Sequence, residues 1–374
     1  MRFTTLILRN LFRRRARTLL TAAGLAVAIA AVLDLVGVAW NFQRAFTSLY
    51  EGKGIDLIVA RAGVSNQLSS ALDEKLGERL RSIQGVADVA ASMVDVIGFE
   101  EAHIAGALIN GWESGSLLFR GTHVIEGRMF GPDETNVAML GRVLALNLGK
   151  KVGDEVDVAG EPFRVVAIHE SDSLFESGGL IVPLASLQRL MGREGQVTGF
   201  VIQADPSDPR SVSELQRRIE SEIPGVAATQ ARDQVERDMQ LRLAKVMAWA
   251  TTALAIVLGS VGVLNTMLMT VFERTAEIGV LRALGWRRRR VLTMILGEAV
   301  CLGVFGAVLG MILAVVGMRL ILLEPTARGF IDPNIPAPVL GMGLIVGFAL
   351  SILGGVYPAV RAAALDPSEA LRHE

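Results

Sequence analysis

The residues that could carry out chemistry in this 374-residue chain are few, and their spacing excludes several enzyme classes. A nucleotide-binding P-loop requires a Gly-Lys pair followed by Ser or Thr, because backbone N–H groups and the lysine together hold the phosphates. The chain has two Gly-Lys pairs, Gly52-Lys53 and Gly149-Lys150, and neither is followed by Ser or Thr. The sequence therefore predicts no ATP site of this kind.

Hydrolase and metal chemistry are equally unsupported. A serine nucleophile inside an apolar segment, such as Ser260, needs a base beside it, and the histidines all lie outside these segments: His103, His123, His169 and His373. A single cysteine, Cys301, excludes an internal disulfide, and no Cys or His cluster has zinc spacing. We therefore expect no catalytic residue, no metal site and no cofactor bound by this chain.

Four long apolar segments set the overall architecture. Hydrophobic residues make up 51% of the chain, and each segment exceeds the roughly 20 residues that a helix needs to cross a hydrocarbon core of about 30 Å. The predicted transmembrane helices cover residues 18–42, 244–272, 291–323 and 339–360. The first is longer than the apolar region of a signal peptide, which predicts an uncleaved anchor.

The charges predict how these helices are oriented. Segment 1–17 carries six arginines and no acidic residue, and loop 273–290 carries six arginines against two glutamates. By the positive-inside rule both face the cytoplasm, and so does the tail 361–374. Residues 41–245 carry 21 basic and 29 acidic residues. We therefore expect a multi-pass protein of the inner (plasma) membrane, with segment 43–243 and the short loop 324–338 outside.

Segment 43–243 reads as an extracytoplasmic α+β domain. Short β-branched runs alternate with helical patterns, among them Leu72, Leu76 and Leu80, which predict a helix over 68–83. Similar helix-to-strand patterns predict one lobe formed by 55–105 with 195–230. Residues 110–195 are then an inserted β-rich lobe. Residues 41–50 and the region before 244 are expected to extend the first two transmembrane helices outward.

Loop 273–290 is the most informative stretch. Ile278, Leu281 and Leu284 recur at helical spacing, and Gly285 is suited to end a helix. A short amphipathic helix of this kind fits a groove on a partner protein. For the arginines at 287–290 alone, a purely topological role remains the simpler interpretation.

This loop resembles the E-R-T-x-E-I-G-x-x-R-A-x-G signature of the MacB-FtsX-like ABC transporter permease family. Glu298-Ala299, Tyr357-Pro358-Ala359 and the run 366–371 (DPSEAL) extend the likeness over the chain. The resemblance implies a permease-only member without a fused ATPase domain. In such a member a coupling helix at about 274–285 binds a separate cytoplasmic ATPase, which holds the ATP and Mg²⁺. The residues implied in ATPase coupling are Glu273, Arg274, Glu277, Ile278, Gly279, Leu281, Arg282, Ala283, Leu284 and Gly285.

The resemblance implies further partners but does not specify whether the protein transports a substrate or regulates another protein. A homodimer or heterodimer with a related permease, contact with membrane lipid, and an extracytoplasmic adaptor or substrate protein are expected, whereas nucleic acid is not. Export or extraction of a lipoprotein, lipid, peptide or drug is one hypothesis. The alternative is an ATPase-driven regulator or scaffold that activates a cell-wall enzyme. The pattern at 366–369 is either a helix start that contacts the coupling helix or a simple end of the last apolar helix.

Asp34, Glu298 and Arg319 are charged residues that lie inside the apolar segments, away from their ends. Asp34 needs a partner if it is buried in the membrane, and either Arg319 or solvent could provide one. Glu298 is expected to pair with an arginine of 287–290 or with Asn265, or to transmit motion of the coupling helix. Small-residue pairs in the third and fourth segments, at 306 and 310 and at 343 and 347, permit close helix packing within one chain or across a dimer.

Overall fold

The computed structural model describes residues 15–64, 67–206, 212–231, 233, 239–324 and 334–366. These residues form two compact units. The described part of the first unit lies within 15–39, 244–320 and 334–366, and that of the second within 40–243 and 321–324. The predicted pattern at 366–369 and most of loop 324–338 fall outside the described residues.

The first element is a long apolar helix, α1 (Arg15–Glu51), of 37 residues. At 1.5 Å per residue it is about 55 Å long, well beyond the thickness of a hydrocarbon core. Because it has no break at 41–50, these residues extend the first apolar helix as the sequence predicts. Residues 40–51 belong to the second unit.

The second unit is built on one mixed sheet of ten strands, with a separate two-stranded sheet beside it. Its elements in chain order are β1 (Leu57–Arg61), β2 (Leu72–Asp73), α2 (Leu76–Arg81), β3 (Val86–Phe99), β4 (Ile104–Trp112), β5 (Thr122–Gly127), β6 (Val137–Gly141), α3 (Arg142–Leu148), β7 (Glu155–Val158), β8 (Glu161–Ser171), α4 (Leu174–Ser177), β9 (Leu180–Pro183), α5 (Leu184–Leu190), β10 (Gln196–Val197), β11 (Gly199–Ala204), α6 (Val212–Glu222) and β12 (Val226–Gln230).

The order of strands in the large sheet is β12-β1-β11-β3-β4-β9-β6-β8-β5, with β7 paired to β8. Most pairs are antiparallel, but β4 with β9 and β6 with β8 are parallel. Strands of 55–105 and 195–230 lie toward one end of this order, and those of 110–195 toward the other. Their division into two lobes stays a prediction.

The helix predicted over 68–83 is wrong for its first half. Residues 67–69 form a single 3-10 turn, β2 pairs with β10 in the small sheet, and the helix covers only Leu76–Arg81. Leu72 is buried opposite Val197 in this pairing. A contact made more than 100 residues away therefore overrides the local helical spacing.

The remaining helices follow the sheet in sequence. They are α7 (Met239–Glu273), α8 (Thr275–Ala283), α9 (Arg288–Ile321) and α10 (Ala337–Ala364). With α1, the long helices α7, α9 and α10 are apolar and long enough to cross a membrane. Four such helices and a large α+β domain after the first confirm the predicted fold class.

Glycines allow α1, α9 and α10 to pack closely within the chain. A Cβ at Gly306 or Gly310 would lie 2.9 Å from side-chain atoms of Leu25 or Ile29 on α1. A Cβ at Gly347 of α10 would lie 2.7 Å from Ala307 on α9. These small residues therefore serve contacts between helices of the same chain.

Candidate functional site

The predicted coupling segment forms the helix α8, and both of its ends are fixed by hydrogen bonds. At its start the Thr275 hydroxyl donates to the carbonyls of Val271 (3.1 Å) and Phe272 (2.9 Å). At its end Gly285 has a φ of +92°, and Trp286 N–H donates to the Leu281 carbonyl at 3.1 Å. A left-handed glycine with this bond is a common helix ending that only glycine adopts at little cost.

One face of α8, together with Leu284 directly after the helix, is exposed and mainly apolar. Val280 is 45% exposed and Leu284 75% exposed. The other exposed residues of this face are Ala276, Glu277 and Ala283. Their spacing of three to four residues places them along one side of the helix. We call these five residues the α8 exposed face.

The opposite face of α8 packs inward. Ile278 is fully buried, Gly279 is buried and Leu281 packs against the same core. The Arg282 guanidinium donates to the backbone carbonyl of Trp286 at 3.2 Å, which ties it to the turn after the helix. The predicted coupling residues thus divide into an exposed set and a set that holds the helix in place.

A first ion pair connects Glu273, the last residue of α7, to α1. Both terminal nitrogens of Arg17 donate to the Glu273 carboxylate, each at 2.8 Å. This two-bond geometry is the specific mode of arginine–carboxylate pairing. Because the side chains are 32% and 19% exposed, its contribution to stability is modest.

A second ion pair connects α8 to α9 and corrects the expected pairing of Glu298. Arg274 Nη1 lies 3.0 and 3.1 Å from the Glu298 carboxylate oxygens, and Arg274 Nε lies 3.1 Å from Glu277. Glu298 is therefore paired with Arg274, a partner that the sequence analysis did not include. The arginines of 287–290 precede Glu298 in or just before α9, whereas Arg274 reaches it from the connection between α7 and α8.

This second pair is largely withdrawn from solvent. The Arg274 and Glu298 side chains are 12% and 4% exposed. Burial alone would lower the pKa of Arg274, but the charges of Glu298 and Glu277 outweigh it and hold the pKa above its ordinary value. Arg274 therefore stays positively charged and fixes the start of α8 to α9.

Of the two partners considered for Asp34, Arg319 and solvent, Arg319 is not paired with it. Arg319 is exposed, and one carboxylate oxygen of Asp34 is buried without a hydrogen-bond partner. Asp34 faces Gly317, where a Cβ would lie 2.7 Å from its other oxygen. Two residues on, Arg319 points about 200° away around the helix, which explains why the pair is absent.

The described residues contain no group of three or more His, Cys, Asp or Glu side chains placed to hold a metal ion. Cys301 is partly buried on α9 and has no disulfide partner. The described part of the site thus consists of an exposed, mainly apolar helix face and two ion pairs, Arg17 with Glu273 and Arg274 with Glu298.

Two family models match the chain. The MacB-like periplasmic core domain matches residues 18–222, and the FtsX-like permease C-terminal domain matches residues 249–367. The chain belongs to the MacB-FtsX-like family of ABC transporter permeases. The recognition made from loop 273–290 is therefore confirmed.

Relatives include permeases that this chain matches over nearly their whole length and larger ATP-binding/permease proteins. A macrolide export ATP-binding/permease protein MacB from Nitrobacter winogradskyi is 29% identical over 95% of this chain, which spans 58% of that relative's length. The uncharacterized ABC transporter permease YvrN of Bacillus subtilis is 27% identical over 98% of both chains. The periplasmic region of MacB from Actinobacillus actinomycetemcomitans, a solved structure, is 13% identical over 51% of this chain and 96% of its own, with a TM-score of 0.39.

Sequence reasoning about this chain missed Arg17 and Val280 as parts of the site. Val280 recurs at helical spacing with Ala276 and Leu284, so the same periodicity that predicted α8 also carries its exposed face. Nothing local indicates that Arg17 reaches Glu273, which is 256 residues away. The ion pair between Arg17 and Glu273 depends on how α1 packs against α7.

Proposed function

We propose that this chain is the permease subunit of an ABC transporter and that the α8 exposed face binds a separate cytoplasmic ATPase subunit. The chain itself is then non-catalytic, and the partner holds ATP and Mg²⁺. Export or extraction of a lipoprotein, lipid, peptide or drug is the proposed task. The FtsX-like permease match over 249–367, which contains α8, supports this role.

The observation that carries the proposal is the contrast between the two sides of α8. An exposed apolar row ending at Leu284 is unfavourable in water unless a partner covers it. The buried side is anchored to α9 through Arg274 and Glu298. A surface that is apolar outward and ionically fixed inward is suited to transmit force from a bound partner.

The proposed geometry places both termini and α8 in the cytoplasm and the sheet domain outside the inner (plasma) membrane. The arginines before α1 and around α8 support this orientation through the positive-inside rule. Two copies of the chain, or one copy with a related permease, would present two α8 helices to the ATPase.

The test is capture of the ATPase from native membranes by the full-length chain carrying Val280→Asp, Leu284→Asp or Glu277→Lys. An aspartate at an apolar position that the bound ATPase covers would be desolvated and unpaired. We therefore expect Val280→Asp and Leu284→Asp to lower the amount of captured ATPase about tenfold or more. Leu146→Asp is the matched control, because Leu146 is 72% exposed on α3 of the sheet domain. Undiminished capture by Leu284→Asp and Val280→Asp would refute the assignment of α8.

A further inference from the structure

Lys53, which sequence analysis excluded from a nucleotide site, is one of the most buried charged residues in the sheet domain. It follows the end of α1 within the run Gly52-Lys53-Gly54, and only 3% of its side chain is exposed. Gly54 has a φ of +68°, a conformation that suits glycine, so the chain turns sharply after the lysine. The turn points Lys53 into the domain.

Three groups receive the buried ammonium. Lys53 Nζ donates to Glu176 at 2.7 Å and to the Leu118 carbonyl at 2.5 Å, and it lies 4.2 Å from the centre of the Trp112 ring. A buried charge is strongly destabilising unless it is paired and hydrogen-bonded. The site satisfies this requirement with a carboxylate, a carbonyl and an aromatic face.

Glu176 lies in α4, within a short segment, 171–177, that comprises the last residue of β8, a two-residue connection and α4. Its second carboxylate oxygen accepts a hydrogen bond from the Ser171 hydroxyl at 2.6 Å. The glutamate is thus oriented from both sides and is itself only 3% exposed.

Segment 171–177 contacts α1 at two more places. The Ser173 hydroxyl donates to the Ala45 carbonyl at 3.0 Å, and the rings of Phe42 and Phe175 meet edge to face at 5.1 Å. These contacts fall on residues 42–45, two to three turns before Lys53. The last turns of α1 are therefore held along their length by one short segment.

The position of these contacts relative to the sheet determines which strands α1 is connected to. The covalent path from α1 enters the sheet at β1, which pairs with β11 and β12. Segment 171–177 instead follows β8, which pairs with β5, β6 and β7. The end of α1 is therefore connected to strands near both ends of the sheet. The backbone connects it to β1, and side-chain contacts connect it to the segment after β8.

We propose that Lys53 and Glu176 are positioning residues that clamp the carboxyl-terminal end of α1 to β8, so that movement of α1 displaces the whole sheet instead of β1 alone. This proposal rests on the proposed function, because it takes α1 as the helix that a bound ATPase moves. The clamp consists of Lys53, Glu176, Ser173 and segment 42–45.

The clamp itself is tested by hydrogen exchange on the full-length chain without nucleotide. Lys53→Met leaves Glu176 buried and unpaired, so we expect at least about tenfold faster exchange in 41–53 and 171–177, with β11 unchanged. Arg142→Met is the control. It breaks an exposed ion pair to Glu170 of β8, directly before segment 171–177 (the side chains are 56% and 52% exposed). Ser173→Ala, which removes one hydrogen bond, should give a smaller increase in the same segments if Lys53→Met does not fold. Unchanged exchange of both segments in a folded variant would overturn the clamp.

The role in coupling is tested with the ATPase co-purified and ATP added. In the parent chain we expect ATP to change the hydrogen exchange of both α8 and 171–177. In Lys53→Met we expect ATP to change the hydrogen exchange of α8 alone, while ATP hydrolysis is retained. A response of 171–177 that survives in Lys53→Met would overturn the proposal. If α8 of the parent does not respond to ATP, the proposed function fails instead, whereas the exchange without nucleotide still decides whether the clamp exists.

Discussion

At the scale of single residues, Arg274 carries the connection between α8 and the bundle of apolar helices. It holds Glu298 with two contacts and Glu277 with a third. Arginine suits this position because its planar fork serves two carboxylates at once, which a lysine ammonium cannot do with the same geometry. The pair ties the start of α8 to α9.

Breaking this pair from one side should be more harmful than removing it altogether. In Arg274→Met the Glu298 carboxylate is left buried without its cation, and we expect a cost of about 3 kcal/mol. The double variant Arg274→Met/Glu298→Leu should recover part of this loss, because no charge is then left unpaired. Thermal unfolding of the full-length chain in detergent measures both.

The control for this comparison is Arg290→Met, which removes an exposed arginine in the first turn of α9. It should leave the unfolding temperature nearly unchanged. If the double variant is as unstable as the sum of its single variants, Arg274 and Glu298 are not coupled and the anchoring argument is wrong.

At the scale of elements, α9 and α10 depend on glycines that leave no room for a side chain. A Cβ at Gly303 would overlap the Ser351 hydroxyl and lie 2.6 Å from the Gly347 carbonyl oxygen. Gly303→Ala should therefore force the two helices apart and lower the unfolding temperature. Gly341→Ala is the matched control, because a Cβ there meets nothing within 4 Å, and alanine is favoured over glycine in a helix. A Gly303→Ala chain as stable as the parent would contradict close packing at this crossing.

The elements also show what could be predicted from sequence and what could not. The apolar helices and α8 were predictable, because length and spacing alone define an apolar helix and an amphipathic one. The helix over 68–83 was predicted too long because Leu72 is held by Val197 of a distant strand. Pairings across the fold, such as Arg274 with Glu298, depend on how helices are rotated against each other. A single sequence does not specify that rotation.

At the scale of the whole molecule, the two units use buried ion pairs for related purposes. In the first unit Arg274 and Glu298 fix α8, and in the second Lys53 and Glu176 fix the end of α1. Both pairs join segments that are far apart in the sequence or belong to different helices. In both pairs, removing one partner would leave the other charge buried and uncompensated, which is strongly destabilising.

The orientation of the whole chain gives the last prediction. Leu284→Cys, in a Cys301→Ser background, places one thiol on the α8 exposed face, and His123→Cys places one on an exposed position of β5. With a membrane-impermeant maleimide on intact cells we expect His123→Cys to be modified and Leu284→Cys to stay protected until lysis. The expectation rests on the positive-inside rule, because arginines flank α8. Modification of Leu284→Cys before lysis would place α8 outside, where no ATPase could bind it.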